Sequence, residues 1–169
     1  MARPSNSISL KLSRHDVIHA VRTTVAVIAS LSFARLFKLP EAYWAAVTTL
    51  VVMQSTLGAS FSVSWQRFVG TAIGAAAGAL SVTYFGSNTT IFAVGIFFMG
   101  IVCAALRLDR AAYRFAGVTL TIVTLIARSG PGWKVAVVRF LEVSIGIAVG
   151  LLLTALWPEP PDPSGASPS

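Results

Sequence analysis

Arg139 and Glu142 stand three residues apart inside a mostly apolar run, residues 135–156. That spacing is about one helical turn, so the two can pair along a helix. A carboxylate in such a run is costly to hold in an apolar surrounding, which makes it a candidate for function. Two roles are open. The pair can be structural, since buried charges usually come paired, or Glu142 can take up a proton and couple anion movement to a proton gradient. Arg67 heads a second run of this kind, followed on one helix face by Gly70, Gly74 and Gly78. The glycines let another backbone come close. A cation at the mouth of that contact can attract a carboxylate, or it can snorkel to lipid headgroups.

A further polar group gathers near the start of the chain: His15, Asp16, His19 and Arg22. The histidines have a zinc-compatible spacing of four, but no third ligand is near them in sequence, so no metal is expected. A polar face at an entrance fits better. His19 can titrate in the physiological range, and Arg22, about one turn deeper, is the best anion contact of the first half. Tyr43 and Trp44 suit an aromatic belt; alternatively Trp44 lines a path and stacks on an aromatic ligand. Thr48, Gln54 and Ser55 offer neutral hydrogen-bonding groups to a passing carboxylate. The expected substrate contacts are thus Arg22, Trp44, Thr48, Gln54, Arg67 and Arg139. His19 and Glu142 are the proton-coupling candidates, and Gly70, Gly74, Gly78, Gly146 and Gly150 the packing positions. Arg110 and Arg114 read as cytoplasmic anchors. There is no phosphate-binding Gly-Lys-Ser/Thr loop, and no nucleophile–base–acid set stands out. Neither an enzyme nor a cofactor is expected. The single cysteine, Cys103, reads as a small packing residue.

Composition tells what must position these residues. Of 169 residues, 55% are hydrophobic and 11% charged, with a mean hydropathy of +0.76. A soluble domain carries about 25% charged residues, so this chain lacks the polar surface for a globule in water. The net charge of +7 does not point to nucleic acid, because the thirteen Lys and Arg are scattered between apolar stretches, as membrane topology arranges them. Six segments approach the roughly 20 residues that span a bilayer: 16–37, 41–58, 67–86, 88–107, 110–128 and 133–157. Pro40, Gly58, the Gly86–Ser87–Asn88 turn, Leu108–Asp109 and the stretch 129–132 separate them. Loops this short make consecutive helices antiparallel neighbours. The second segment, shortest and most polar, is expected to face protein or a cavity. Residues 1–15 form a basic cytoplasmic or interfacial segment, kept in the mature protein. Residues 16–157 form the membrane domain, and the Pro/Ser-rich tail, 158–169, is expected to be disordered.

The phrase RFVGTAIGAAAGAL, residues 67–80, returns as RFLEVSIGIAVGLL, residues 139–152, with seven of fourteen positions identical. The same shift of 72 sets Arg35 on Arg107, Thr49 on Thr121 and Gly58 on Gly130. Residues 16–86 then match residues 88–157. Three spans per unit turn the second copy over, giving the 3+3 inverted-topology repeat many transporters share, with a site near the midplane where the halves meet. Small-residue-rich membrane helices also resemble one another by composition, but here basic residues align as well as glycines. Symmetry breaks at one informative place, where Gly70 faces Glu142 in the alignment. With the N-terminus inside, Arg3, Lys11, Arg14, Arg67, Arg107, Arg110 and Arg114 fall on the cytoplasmic side, and Arg35, Lys38, Arg128 and Lys134 outside. That bias favours both termini in the cytoplasm. The expected architecture is an all-α integral membrane protein of six transmembrane helices. Its glycine-lined faces suggest a homo-oligomer, a dimer first.

The ordered set of Pro40, Tyr43, Trp44, Ala45 and Thr48, then Arg67, Gly70, Thr71 and Gly74, resembles the core of the fusaric acid resistance protein family, which includes the aromatic acid exporters. The preceding HAVRTTVA, with Arg22, is similar to that family's first-helix signature. The resemblance covers roughly residues 16–157. It implies a six-helix membrane unit that exports or conducts organic anions, often aromatic carboxylates. The expected activity is secondary transport of small organic anions, driven by protons or by the membrane potential, in a bacterial inner membrane. A passive anion channel and a non-transporting scaffold are the alternatives.

Overall fold

A computed structural model describes residues 14–53, 56–126 and 131–158. Six helices follow in order: α1 (Arg14–Leu36), α2 (Tyr43–Val52), α3 (Leu57–Phe85), α4 (Thr89–Ala105), α5 (Arg110–Thr121) and α6 (Gly132–Leu156). A π-helical turn, Ile122–Ile126, continues α5. Asp16–Leu36 of α1, all of α3 and all of α6 are long and apolar enough to cross a membrane, while α2 and α4 are shorter apolar helices. The expected N-terminal segment and tail lie outside the described residues, save at their inner edges.

The second and third segments differ most from expectation. Thr56, an N-cap residue type, accepts the Ala59 N–H at 3.2 Å and starts α3 there. Gly58 therefore lies in the first turn of α3 and does not end the helix before it. α3 begins ten residues ahead of Arg67. α2 shrinks to 10 residues, about 15 Å of rise against a hydrocarbon core of about 30 Å.

The turns carry the chemistry expected of them. Gly86, at φ 80, ends α3, and Asn88 caps α4 by accepting the Thr90 N–H at 3.1 Å. α1 and α4 end alike. Lys38 (φ 54) donates to the Arg35 carbonyl at 2.9 Å, and Leu39 reaches back to Ala34 at 3.1 Å. Arg107 (φ 52) donates to Ala104 at 3.0 Å, and Leu108 reaches Cys103 at 2.9 Å. Both are Schellman ends, with a basic residue where glycine is usual. By this local geometry Arg107 corresponds to Lys38, 69 residues earlier, whereas the shift of 72 sets it on Arg35.

α3 and α6 form an antiparallel central pair, with Phe68 on Phe140 at 5.1 Å between ring centroids and Gly132 against Val82. α5 lies on α3 and α2 on α6, while α4 and α1 cover the outside. Lipid tails give apolar side chains no reason to prefer each other, so close approach through small residues decides such contacts. A Cβ at Gly70 would fall on the Ala112 carbonyl, and one at Gly74 on the Ala116 carbonyl. One at Gly78 would stand 2.8 Å from Val123 Cβ. On α6, Gly146 packs on the Ala45 carbonyl and Gly150 on Val52. All five expected packing glycines are therefore used inside one chain, which removes the glycine argument for joining copies. The remaining core repeats too. Ala34 and Ala45 pack with Ile145, and Cys103 and Ala116 with Ile73, so the cysteine is a packing residue.

Candidate functional site

The turn after α1 delivers Glu41 to the side of α6, beside Arg139 and Glu142. Arg139 Nη1 donates to Glu142 Oε2 at 3.4 Å, and Nη2 donates to Glu41 Oε2 at 2.8 Å. Glu142 Oε1 accepts the Glu41 backbone N–H at 3.1 Å. The guanidinium lies over Trp44, 4.1 Å from the ring centroid. Arg139 and Glu142 are buried, so the cost of desolvating them must be offset by these partners. The pairing of Arg139 with Glu142 along the helix is as the spacing predicts.

Arg67 is seated differently. It is 7% exposed and points between α2 and α5, so it is neither at the mouth of a contact nor snorkelling. The early start of α3 is the cause: it puts Arg67 about 15 Å along the helix. Arg67 also drops out of the flanking-charge comparison between the two sides. Its Nε and Nη2 donate to one hydroxyl, Thr48 Oγ1, at 3.2 and 3.0 Å. Its guanidinium carbon lies 4.9 Å from the Phe115 centroid. Among the described residues no carboxylate lies within ion-pair distance of it. The α2 contacts of Arg67 and Arg139, Thr48 and Trp44, stand one turn apart.

The two arginines share a seating plan. Each lies over an aromatic ring, Arg139 on Trp44 and Arg67 on Phe115. Trp44 and Phe115 are 71 residues apart, as are Ala45 and Ala116, Val52 and Val123, and Glu41 and Ala112. The shift on α2 and α5 is one less than the 72 that relates α3 to α6. Two residues of this site, Glu41 and Phe115, escape a reading from sequence. Phe115 is hidden because a uniform shift of 72 sets it on Tyr43. Glu41 is one of only six acidic residues, and a census of acids near spans would have found it.

The other expected site residues lie elsewhere. Arg22 is buried and donates from Nη1 to the Trp157 carbonyl at 3.0 Å, at the C-terminal end of α6. A cation is favoured there by the free carbonyls and the helix dipole. Glu142 is fifteen residues back along α6, about 22 Å of rise, so Arg22 is not brought to the cluster. His19, a turn before Arg22, is not either. Gln54, Ser55 and the His15 side chain lie outside the described residues. Trp44 is half-buried under Arg139, whereas Tyr43 is exposed. Arg110 and Arg114 are exposed. Among the described residues no three metal-binding side chains come together. Apolar grooves of about 400 Å³ between α3 and α4, and about 330 Å³ between α3 and α6, are not lined by Arg22, Arg67 or Arg139. Arg67, Arg139 and Glu142 are buried between packed helices, while Glu41 is partly exposed.

The sequence of residues 26–153 matches the model of the family described as fusaric acid resistance protein-like. The chain belongs to that family. The uncharacterized transporter YdhK of Salmonella typhimurium is 30% identical over 154 residues, covering 85% of this chain and 22% of that protein. Escherichia coli strain K12 has two further family relatives, the inner membrane proteins YeeA and YccS. YeeA is 27% identical over 157 residues, covering 89% of this chain and 44% of YeeA. YccS is 26% identical over 161 residues, covering 91% and 22%. This chain thus spans between about a fifth and less than half of these relatives' lengths. No solved structure matches it. With its family and its three bilayer-length helices, it is an integral membrane protein.

Proposed function

We propose that this chain forms the membrane path of a secondary transporter for small organic anions, aromatic carboxylates first, in a bacterial inner membrane with both termini cytoplasmic. Arg67 carries the proposal: a buried guanidinium that meets a neutral hydroxyl and a ring but, among the described residues, no carboxylate. A buried cation without a counter-charge is costly, and a substrate carboxylate supplies one. Thr48 is then a shared hydrogen-bonding group, and Trp44 and Arg139 stand one turn away. The relatives named as a transporter and as inner membrane proteins support this reading.

A 3+3 inverted repeat is part of the proposal. Its support is the exchange of contacts: α5 on α3 for α2 on α6, α4 on α5 for α1 on α2, and an antiparallel α3–α6 pair common to both. The halves can then rock about the Phe68–Phe140 contact to open the cluster to each side in turn. An anion leaving a cell that is negative inside gains about 2.3 kcal/mol per 100 mV, so passive conduction is the alternative to proton coupling through Glu142. A homo-oligomer, a dimer first, is tested by the mass of the detergent-solubilised protein. The closed packing favours a second reading, a non-transporting scaffold. Flux of benzoate and other carboxylates into proteoliposomes decides between them. The expected result is flux by the wild type and its loss in Arg67→Ala; no flux with any carboxylate overturns the transporter. An imposed pH gradient separates coupled from passive movement.

A further inference from the structure

Arg139 offers its donors on two edges. Nη1 with Nη2 makes one fork and Nε with Nη2 the other, and each fits a planar carboxylate through two parallel hydrogen bonds. Glu41 uses half of the second fork. Its Oε2 accepts from Nη2 at 2.8 Å, while the buried Nε–H has no acceptor among the described residues. The indole N–H of Trp44, whose ring lies under the same guanidinium, also has none. Arg139 is 2% exposed. Two buried donors without acceptors in one stack are unusual, since buried polar groups are nearly always paired. They mark a place for a ligand rich in acceptor oxygens.

The two carboxylates on Arg139 differ in freedom. Glu142 is held within α6 and is 0% exposed, whereas the Glu41 side chain is 35% exposed and stands on the connection between α1 and α2. We infer that Glu41 is a resident carboxylate half-filling a carboxylate seat on Arg139, and that a substrate carboxylate displaces it to take the Nε–Nη2 fork beside Trp44. The inference rests on the organic-anion reading above and adds a second anion seat, with Glu41 as its latch. Displacement leaves the number of carboxylates on Arg139 unchanged, since one replaces another and the partly exposed Glu41 gives way. Such a near-balanced exchange suits a path whose ligand must also leave. While Glu41 is docked, the apparent affinity for an incoming anion falls by the fraction of time the seat is free.

The test is equilibrium binding of benzoate to the full chain in detergent, with Glu41→Gln and Glu41→Asp beside the wild type and a melting temperature for each. Glu41→Asp keeps the charge but withdraws the carboxylate from Nη2. Both variants are expected to bind benzoate several-fold tighter, of order tenfold if the latch is mostly closed. Tighter binding by Glu41→Gln alone means that only the local field changed, and overturns the latch. Unchanged or weaker binding by both makes Glu41 a structural counter-ion and also overturns it. Should either variant not fold, nitrogen-15 spectra of the wild type provide the check: benzoate should shift the Trp44 indole N–H, assigned with Trp44→Phe, and the Arg139 Nε–H. No shift of either overturns the proposal. Wild-type flux that depends on Arg67 but ignores both Glu41 variants sinks the latch alone. Absence of benzoate binding and of all carboxylate flux sinks it together with the transporter.

Discussion

Arg67 and Arg139 sit at matching places in two helices that repeat one phrase, and each lies over an aromatic ring of a shorter helix. One turn further on the halves part. In the α3 half, Gly70 brings α5 into backbone contact at Ala112, leaving no room for an acidic side chain at position 70. In the α6 half, Glu142 takes the place of that glycine and Glu41 that of the alanine, and Arg139 gains two carboxylates. One seating plan thus yields a cation with two carboxylates and one that, among the described residues, has none within ion-pair distance. A structural ion pair and an anion site differ here by which small residues were replaced with acids.

The largest effect that would break this comparison is at Arg139. Arg139→Ala leaves Glu41 and Glu142 without their cation, and breaking a buried pair in this way costs about 3–5 kcal/mol. Thermal unfolding in detergent should show a large loss; a small one would mean the cluster is solvated. Next come the shared glycines. Gly74→Val and Gly146→Val each push a side chain into a facing carbonyl, with an expected loss of about 1–3 kcal/mol apiece. Unequal losses would show that the halves pack less alike than their geometry suggests.

Smaller effects sharpen the picture. Trp44→Leu and Phe115→Leu each remove a ring under a guanidinium, worth roughly 1–2 kcal/mol when desolvated. Trp44→Leu should cost more in a melting series, since its ring is closer to the cation, 4.1 against 4.9 Å. The smallest is Gly58→Ala. Gly58 lies in the first turn of α3 with nothing within 4 Å of a new Cβ, so the change should raise stability by about 0.5–1 kcal/mol. A loss would place the start of α3 elsewhere.

Much of this was legible in the chain. Apolar run lengths gave the six helices in order, Gly86 and Asn88 gave the α3–α4 turn, and Gly70, Gly74 and Gly78 gave the face that meets α5. The Arg139–Glu142 pair followed from a spacing of three. Other features hid for physical reasons. Thr56 outweighs Gly58 because a cap satisfies a free backbone donor while a helical glycine costs only entropy, and that choice moved Arg67 from an edge to the interior. The offset between matching positions is 69, 71 and then 72 residues, so no single shift aligns them all. A uniform shift therefore matched the glycines but missed Lys38 with Arg107 and Trp44 with Phe115. Arg22 looked like a site cation because it is buried in an apolar helix, but the α6 carbonyl it serves is 135 residues away in sequence.

Arg67→Met tests most directly whether the uncompensated cation is kept for function. Benzoate flux in proteoliposomes and the melting temperature should be read on the same preparation. Removing a buried charge that has no carboxylate partner among the described residues, and keeping its volume apolar, should leave stability unchanged or raise it, while flux is lost. A protein that melts well below the wild type, or that still carries benzoate at the wild-type rate, would contradict the account.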